Sequence, residues 1–453
     1  MTSSRRPFRC RELLVLAALL VVLPGVGDGP VEAQDPDDVR VGFRYDPGYV
    51  PALVMPRTPG DSELSGVATR VDSILRRDLG FSDRFEMLPV PDTVERGSEV
   101  RYALWNELGA VWLVLAEVSG TRDAPRLRVG LHDVVYRNLR DDEAFDLPSP
   151  DDPGFRMAVH RISDRIVEWA TGEPGMAASR IAFRRKTDDG ASDIWMVDSD
   201  GRALRRVTRD SSIVYSPALH PSGDRLLYVS YAAGGPAVYE RTLSTGDTRV
   251  VSDRRGVNLT PAYRPDGNRL MLARSAGGDT EIFELEASPP WSGEQITNIT
   301  NGDALNPTYA PDGERFAYEA TPLGEQQVYV RSVDGGEPRI ISRYVYGERG
   351  QAANPDWSPT GERIAYQAWM DGRFQIVTVN PDGSDRRILT TEANNEEPTW
   401  APDGRHLVFR STREGYHALW VLDTVSGRLR RLVAGHVDQM PEWSGALGPV
   451  GNP

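Results

Sequence analysis

Pro398-Thr-Trp-Ala-Pro-Asp-Gly404 is the stretch that decides the fold, because it recurs. Pro217-Ala-Leu-His-Pro-Ser-Gly223, Pro261-Ala-Tyr-Arg-Pro-Asp-Gly267, Pro307-Thr-Tyr-Ala-Pro-Asp-Gly313 and Pro355-Asp-Trp-Ser-Pro-Thr-Gly361 align with it. The second prolines, Pro221, Pro265, Pro311, Pro359 and Pro402, lie 44, 46, 48 and 43 residues apart. A period near 45 with strand-like content is the spacing of four-stranded propeller blades.

Each unit reads alike. A short strand ends at Tyr or Trp. Proline presets φ for a tight turn, and glycine accepts positive φ at its end. A second strand follows, as in Leu226-Leu-Tyr228, Leu270-Met-Leu272, Phe316-Ala-Tyr318, Ile364-Ala-Tyr366 and Leu407-Val-Phe409. A third is exemplified by Val328-Tyr-Val330, and a fourth by Arg339-Ile-Ile-Ser342 or Arg387-Ile-Leu-Thr390. The ends of the array are incomplete in complementary ways. Ser179-Arg-Ile-Ala-Phe183 matches a second strand with no first strand before it. Pro441-Glu-Trp-Ser444 matches a first strand, 43 residues beyond Pro398, with nothing after it. Together they make one blade, so the sequence predicts six, closed by pairing of the two ends. Ile181, Phe183, Pro441 and Trp443 are the expected closure residues. Closure leaves no open strand edge around the ring.

Outward from the repeat, residues 35–172 lack it and read as an α/β domain. The apolar spacing predicts a helix over 62–78, with Leu64, Val67, Val71, Ile74 and Leu75 on one face and Gly80 as terminator. A shorter helix is expected over 102–108, strands over 110–118 and 126–136, and a helix over 155–170 carrying Phe155, Val159, Ile162, Ile166 and Trp169. Asp141-Asp-Glu143 and Ser149-Pro-Asp-Asp152 read as solvated loops. The expected domains are a signal peptide over 1–33, the α/β domain over 34–172, a linker over 173–178, the propeller over 179–445 and a tail over 446–453.

The signal reading rests on Arg5, Arg6, Arg9 and Arg11, the eleven-residue apolar run Leu13–Leu23 and small residues around Ala33. Eleven residues are too few to span ~30 Å of hydrocarbon as a helix. Ser4-Arg5-Arg6-Pro7-Phe8 leaves the export route open between the general and the twin-arginine pathway. The expected mature chain starts near Gln34 and is soluble outside the cytoplasm.

Over the whole chain of 453 residues the formal net charge is −14 with one cysteine. That balance argues against nucleic-acid or anionic-membrane binding, which needs a basic face. The lone Cys10 excludes a disulfide framework and a cysteine zinc cluster.

In the first domain Val39-Arg-Val-Gly-Phe43, Gly80-Phe-Ser-Asp-Arg-Phe85, Trp105-Asn-Glu-Leu-Gly109 and His160-Arg-Ile-Ser-Asp164 carry a resemblance. With Thr171-Gly172 and the six-blade array, they resemble the TolB family of periplasmic proteins over nearly the whole expected mature chain. The acidic Asp35-Pro-Asp-Asp38 lead, the insert Pro289-Pro-Trp-Ser-Gly293 and the longer stretch Tyr344–Gln351 depart from the usual pattern.

No His-Glu-x-x-His, Gly-x-Ser-x-Gly, Walker or Rossmann pattern is present. The histidines are His132, His160, His220, His406, His417 and His436, and no pair has helical metal-ligand spacing. His160 reads as a packed or hydrogen-bonded residue. His406 and His417 share a blade, and a metal role for them is the less favoured reading. Asp266, Asp312 and Asp403 read as turn carboxylates bonding local amides, with a ring of calcium sites as the alternative. Trp357, Trp400, Trp443, Tyr263 and Tyr309 read as packing between blades. Asn258-Leu-Thr260 and Asn298-Ile-Thr300 fit a glycosylation sequon without deciding anything. No catalytic residue, metal ligand or cofactor is expected.

What the resemblance implies is a non-enzymatic scaffold of the Tol–Pal envelope system, with roles in outer-membrane integrity and cell division. Its implied partners are a Pal-type lipoprotein at a propeller face and a TolA-type inner-membrane protein at the mature amino-terminal strip. By position that strip is Asp37, Asp38, Val39, Arg40, Val41, Gly42, Phe43, Arg44 and Tyr45. Val39, Val41 and Phe43 alternate, so it fits either an edge strand added to a partner or an internal strand of the first domain. If it docks internally when Pal is bound and is freed otherwise, the two sites are coupled. The competing classes are an exported propeller enzyme and a glycan- or peptidoglycan-binding module. The short stretch after Ser444 leaves no room for the hydrolase domain that accompanies some propellers.

Overall fold

A computed structural model describes residues 49–90, 99–187, 190–276, 278–342, 350–433 and 437–448. The signal-like segment, the strip Asp37–Tyr45, His436 and nearly all of Tyr344–Gln351 lie outside the described residues.

The amino-terminal domain runs β1 (Ala52–Val54), α1 (Ser65–Phe81), β2 (Glu86–Met87), α2 (Tyr102–Glu107), β3 (Trp112–Gly120), β4 (Pro125–Asp133), β5 (Asn138–Asp146) and α3 (Phe155–Thr171). Its sheet has the order β2-β1-β3-β4-β5, with β1 parallel to both neighbours and the rest antiparallel. α1 and α3 bury Val67, Val71, Ile74, Leu75, Val159, Ile162 and Ile166 against Val114, Ala116, Leu127 and Val129 of the sheet. Each such side chain contributes roughly 1.5–3 kcal/mol by leaving water. α2 covers part of the other face, where Trp105 meets Val54, Leu113 and Val134.

Three readings change. Asp141-Asp-Glu143 is not a loop but the middle of β5. Its charged side chains face water on an edge strand, while its backbone pairs with Val129–Leu131 of β4. Charges on an edge are how a sheet avoids pairing with other chains. β1 and β2 are strands the sequence reading lacks, two or three residues long and beyond the reach of a periodicity argument. Helix α1 starts and ends three residues late. Asp61 Oδ1 accepts the N–H groups of Glu63 and Leu64 and holds a turn before the helix, and Gly80 continues it. α3 does end on a glycine, Gly172 at φ 75°.

The propeller has six four-stranded sheets. Blade 1 contains β6 (Arg180–Lys186), β7 (Ser192–Asp198) and β8 (Arg205–Arg206). Blade 2 is β9 (Val214–Leu219), β10 (Arg225–Ser230), β11 (Ala237–Thr242) and β12 (Thr248–Ser252). Blade 3 is β13 (Asn258–Tyr263), β14 (Arg269–Ala276), β15 (Asp279–Glu286) and β16 (Gly293–Gln295). Blade 4 is β17 (Ala304–Tyr309), β18 (Arg315–Ala320), β19 (Gln327–Ser332) and β20 (Gly335–Ile340). Blade 5 is β21 (Ala352–Trp357), β22 (Ile364–Met370), β23 (Arg373–Val379) and β24 (Arg387–Ile388). Blade 6 is β25 (Asn395–Trp400), β26 (His406–Ser411), β27 (Ala418–Asp423) and β28 (Leu429–Arg431). Finally β29 (Asp438–Trp443) joins β6 as the innermost strand of blade 1.

Within a blade the second strand is the most deeply buried. Phe183, Tyr228, Tyr318, Tyr366 and Phe409 are almost wholly enclosed. Between blades the cores merge, as where Ala310, Ala317 and Val328 of blade 4 meet Trp357, Ile364 and Tyr366 of blade 5. The Pro289–Gly293 insert lengthens the turn between β15 and β16 and leaves that sheet intact.

Candidate functional site

The structure pairs Trp443 with Ile181 and Asp438 with Arg185, and Trp443 Nε1 donates to Ser179 Oγ at 2.8 Å. Phe183 lies in the same core as Trp443 and Ile181, with Ala401, Val408 and Leu419 of blade 6 around it. Pro441 lines the central channel, where the six inner strands converge on a cavity of about 230 Å³.

Each inner strand carries a bulge. The residue before the first proline of the repeat is left-handed in every blade: Ser216, Thr260, Asn306, Asn354, Glu397 and Met440, with φ between 44° and 57°. The strand register shifts at the same points. Such backbone is costly for residues other than glycine, and a following proline biases against it further. Neighbouring blades hold it in place. Asn354 N–H donates to Glu319 Oε2 at 3.0 Å, Glu397 N–H to Gln367 Oε1 at 2.9 Å and Met440 N–H to Glu397 Oε2 at 2.7 Å. The repeat thus links blades through polar bonds at the channel wall as well as through packing.

The channel wall is acidic on one side. Asp356, Glu397 and Glu442 come from blades 5, 6 and 1, and among the described residues no basic side chain lines the cavity. Burial raises the Asp356 carboxyl to about 6. Burial, with Asp356 nearby, pushes Glu442 well above the usual carboxylate range. Both carboxyls therefore keep a proton to higher pH than a free carboxylate does. Asp356 also ties three blades together, accepting from Trp400 N–H at 2.7 Å and Thr308 Oγ1 at 3.2 Å. Asp356→Ala leaves both donors unpaired and is expected to cost about 1–3 kcal/mol. A lowered denaturant midpoint checks this, and an unchanged midpoint contradicts it.

The amino-terminal domain packs on the side of the propeller that carries the Pro-Asp-Gly turns, at blades 6 and 1. Asp83, left-handed at φ 51°, reaches Arg428 Nη1 at 3.0 Å and His406 Nε2 at 3.2 Å, while its carbonyl accepts from Arg405. Arg156 of α3 meets Asp198 at 3.0 Å and Asp200 at 2.8 Å on blade 1. His160 is wholly buried, with Nδ1 2.7 Å from Asp78 Oδ2. Burial alone would lower its pKa, but Asp78 and Asp198 raise it to about 10. His406 moves up for the same reason beside Asp403 and Asp83. Two groups, Asp78–His160–Asp200 and Asp83–His406–Asp423, are compact enough to suggest metal sites. Arginines already occupy them: Arg405 forks onto Asp423 at 2.7 and 2.6 Å, and Arg156 and Arg77 take Asp200. They are ion-pair networks.

Of the other expected residues, Asp266, Asp312 and Asp403 each accept the N–H two residues on at 2.9 Å. Tyr263 and Tyr309 donate across blade boundaries to Glu240 and Glu284, while Trp357 and Trp400 sit in blade cores. Asp83, Asp356, Glu397 and Glu442 were not singled out by the sequence reading. A signal for the channel acids was present, in the variable residues flanking each first proline.

Among the described residues the opposite face is open. Its loops and strand ends expose Ile213, Tyr231, Leu323, Trp369, Tyr416 and Val437.

Residues 167–447, more than half of the chain, match the family model of the TolB beta propeller domain. The chain belongs to the TolB family. Residues 50–139 match the TolB amino-terminal domain. The TolB crystal structure from Acinetobacter baumannii superposes with a TM-score of 0.76 at 23% identity, covering 88% of this chain and 98% of that one. At that identity the likeness speaks for the fold alone. The Tol-Pal system protein TolB of Methylococcus capsulatus is 31% identical over 217 residues, 47% of this chain and 50% of the relative. That of Xylella fastidiosa is 31% identical over 215 residues, 46% and 48% respectively. The chain thus spans about half the length of the curated relatives it matches. The α/β domain and the six-bladed propeller are both features of the TolB family.

Proposed function

We propose that this TolB family chain is a non-enzymatic periplasmic adaptor of the Tol–Pal envelope system. In this reading it binds a Pal-type lipoprotein through the open propeller face and a TolA-type protein through Asp37–Tyr45, supporting outer-membrane integrity and cell division. The observation that carries the reading is the asymmetry of the disc. The amino-terminal domain packs on one face, at blades 6 and 1, and the other face presents Tyr231, Trp369, Tyr416 and further apolar side chains on loops and strand ends held by rigid blades. Loops on a rigid scaffold suit recognition, and exposed aromatic residues are the usual anchors of protein interfaces. Relatives named Tol-Pal system protein TolB supply the system to which such partners belong. Among the described residues the His–Asp groups are buried in ion pairs, which suits a structural role and not turnover.

The strip is tested by deleting residues 34–45. TolA-type binding, followed by calorimetry, is expected to vanish while Pal-type binding persists. Retained TolA-type binding contradicts the assignment. The coupling is tested separately, by TolA-type affinity with and without saturating Pal; equal affinities remove it.

A further inference from the structure

The two buried histidines are arranged reciprocally. His160, on the amino-terminal domain, has Nδ1 2.7 Å from Asp78 of its own domain and Nε2 3.6 Å from Asp198 of the propeller. His406, on the propeller, has Nδ1 2.6 Å from Asp403 of its own domain and Nε2 3.2 Å from Asp83 of the amino-terminal domain. His406, with a carboxylate within hydrogen-bond distance of each nitrogen, is served only when both nitrogens carry a proton, because neutral imidazole turns a lone pair toward one of them; at His160 the second carboxylate stands at an ion-pair distance of 3.6 Å. Both rings are fully buried, so water cannot substitute.

Further charged groups of both signs surround each ring. Around His160 stand Asp78 and Arg77 of α1, Arg156 and Asp164 of α3, Asp198 and Asp200 of blade 1, Arg180 of β6 and Arg430 of β28. Arg156 Nη2 lies 3.2 Å from Nε2, closer than Asp198, and the same guanidinium donates to Asp198 and Asp200, so at this nitrogen the pull of the carboxylates is set against a neighbouring cation. Around His406 stand Asp403, Asp423 and Arg405 of blade 6, Asp83 of the other domain and Arg428, which pairs with Asp83. Apolar contact across the junction is sparse by comparison. Among the described residues it comprises Phe81 against the core of blades 6 and 1, and Met157 against Ala178 and Leu447. Interfaces this polar ordinarily let domains move.

We infer that His160 and His406 act as a pair of charged clamps that fix the amino-terminal domain on the propeller, and that neutralising them frees the domain without unfolding either part. The inference is independent of partner identity. It makes the joint a place where proton loss, or a partner competing for Asp83 or Asp198, changes the angle between the domains.

The test uses the full chain in a Cys10→Ser background, with spin labels at Asp123→Cys and Glu337→Cys, both exposed. Electron-spin distance measurement at pH 7 is expected to give one narrow distribution. His160→Gln with His406→Gln should broaden it at least threefold with an unchanged circular dichroism spectrum. Asp83→Asn, which suits a left-handed backbone and keeps the ring's surroundings, should broaden it to a lesser degree. Should the histidine pair not fold, the Asp83→Asn result decides. Imidazole nitrogen resonances should show both nitrogens of both rings protonated at pH 7. A distribution as narrow as the parent's in the folded variants, or an unprotonated nitrogen in either ring, overturns the inference.

Discussion

Asp438→Ala should destabilise the propeller by about 3–5 kcal/mol, the cost of stranding one member of a buried ion pair. Asp438 lies on β29 and Arg185 on β6, and their side chains meet in a fork at 2.7 and 2.8 Å with almost no solvent exposure. Arg185 also stands over the rings of Phe183 and Trp195, so it has no route to water. Replacing both partners with apolar residues, Arg185→Met with Asp438→Leu, should cost far less than the single change, because no charge is then left buried. Trp443→Ala acts on the same joint through packing and should cost about 3–5 kcal/mol. Urea unfolding followed by tryptophan fluorescence reads all three. An unchanged midpoint in Asp438→Ala would mean that the ends of the chain do not hold the ring shut.

Raising the pH from 7 toward 10 should lower stability at up to about 1.4 kcal/mol per pH unit for one proton held only by the folded chain. The group responsible is His160, at about 10 in the folded chain against an ordinary 6.5. Between those values the folded chain keeps a proton that the unfolded chain has lost. The stability from this group is therefore complete below pH 6.5 and is lost as the pH climbs to about 10. His406, raised by Asp403 and Asp83 against the effect of burial, adds in the same direction. The histidines' neighbours act at the other end of the scale. Asp198 and Asp403 sit below their ordinary value, burial being outweighed by the imidazolium beside each, so their contribution is lost as pH falls through the acid range. Melting temperatures of the parent and of His160→Gln, measured from pH 6.5 to 10, check the alkaline limb. The parent should decline steeply and the variant much less; parallel curves would contradict the assignment.

These two predictions draw on parts of the molecule that differ in how visible they are in the sequence. The ring and its closure are legible because a tight turn demands Pro and Gly at fixed places, and those residues repeat once per blade. The incomplete ends then have one solution, and the pairing of Trp443 with Ile181 fits it. Strand β5 is illegible because an edge strand is shaped by backbone pairing while its side chains stay charged and exposed. The channel bulges are hidden for another reason. Their left-handed residues are Ser, Thr, Asn, Asn, Glu and Met, none of them glycine, and neighbouring blades rather than local preference hold them there. The domain junction is hidden by distance along the chain. Asp83 meets His406 across 323 residues and Arg428 across 345, and no local pattern brings such pairs together.

The adaptor reading is tested most directly by the affinity of the folded protein for the soluble domain of a Pal-type lipoprotein, with one propeller face altered at a time. Tyr231→Ala with Trp369→Ala and Tyr416→Ala strips aromatic anchors from the open face, and a loss of at least ~100-fold in affinity is expected from residues of this kind. Val425→Ala, on a blade 6 turn of the face that bears the amino-terminal domain, should leave affinity unchanged. Equal affinities for the parent and the triple variant, or no binding by the parent at all, would contradict the account.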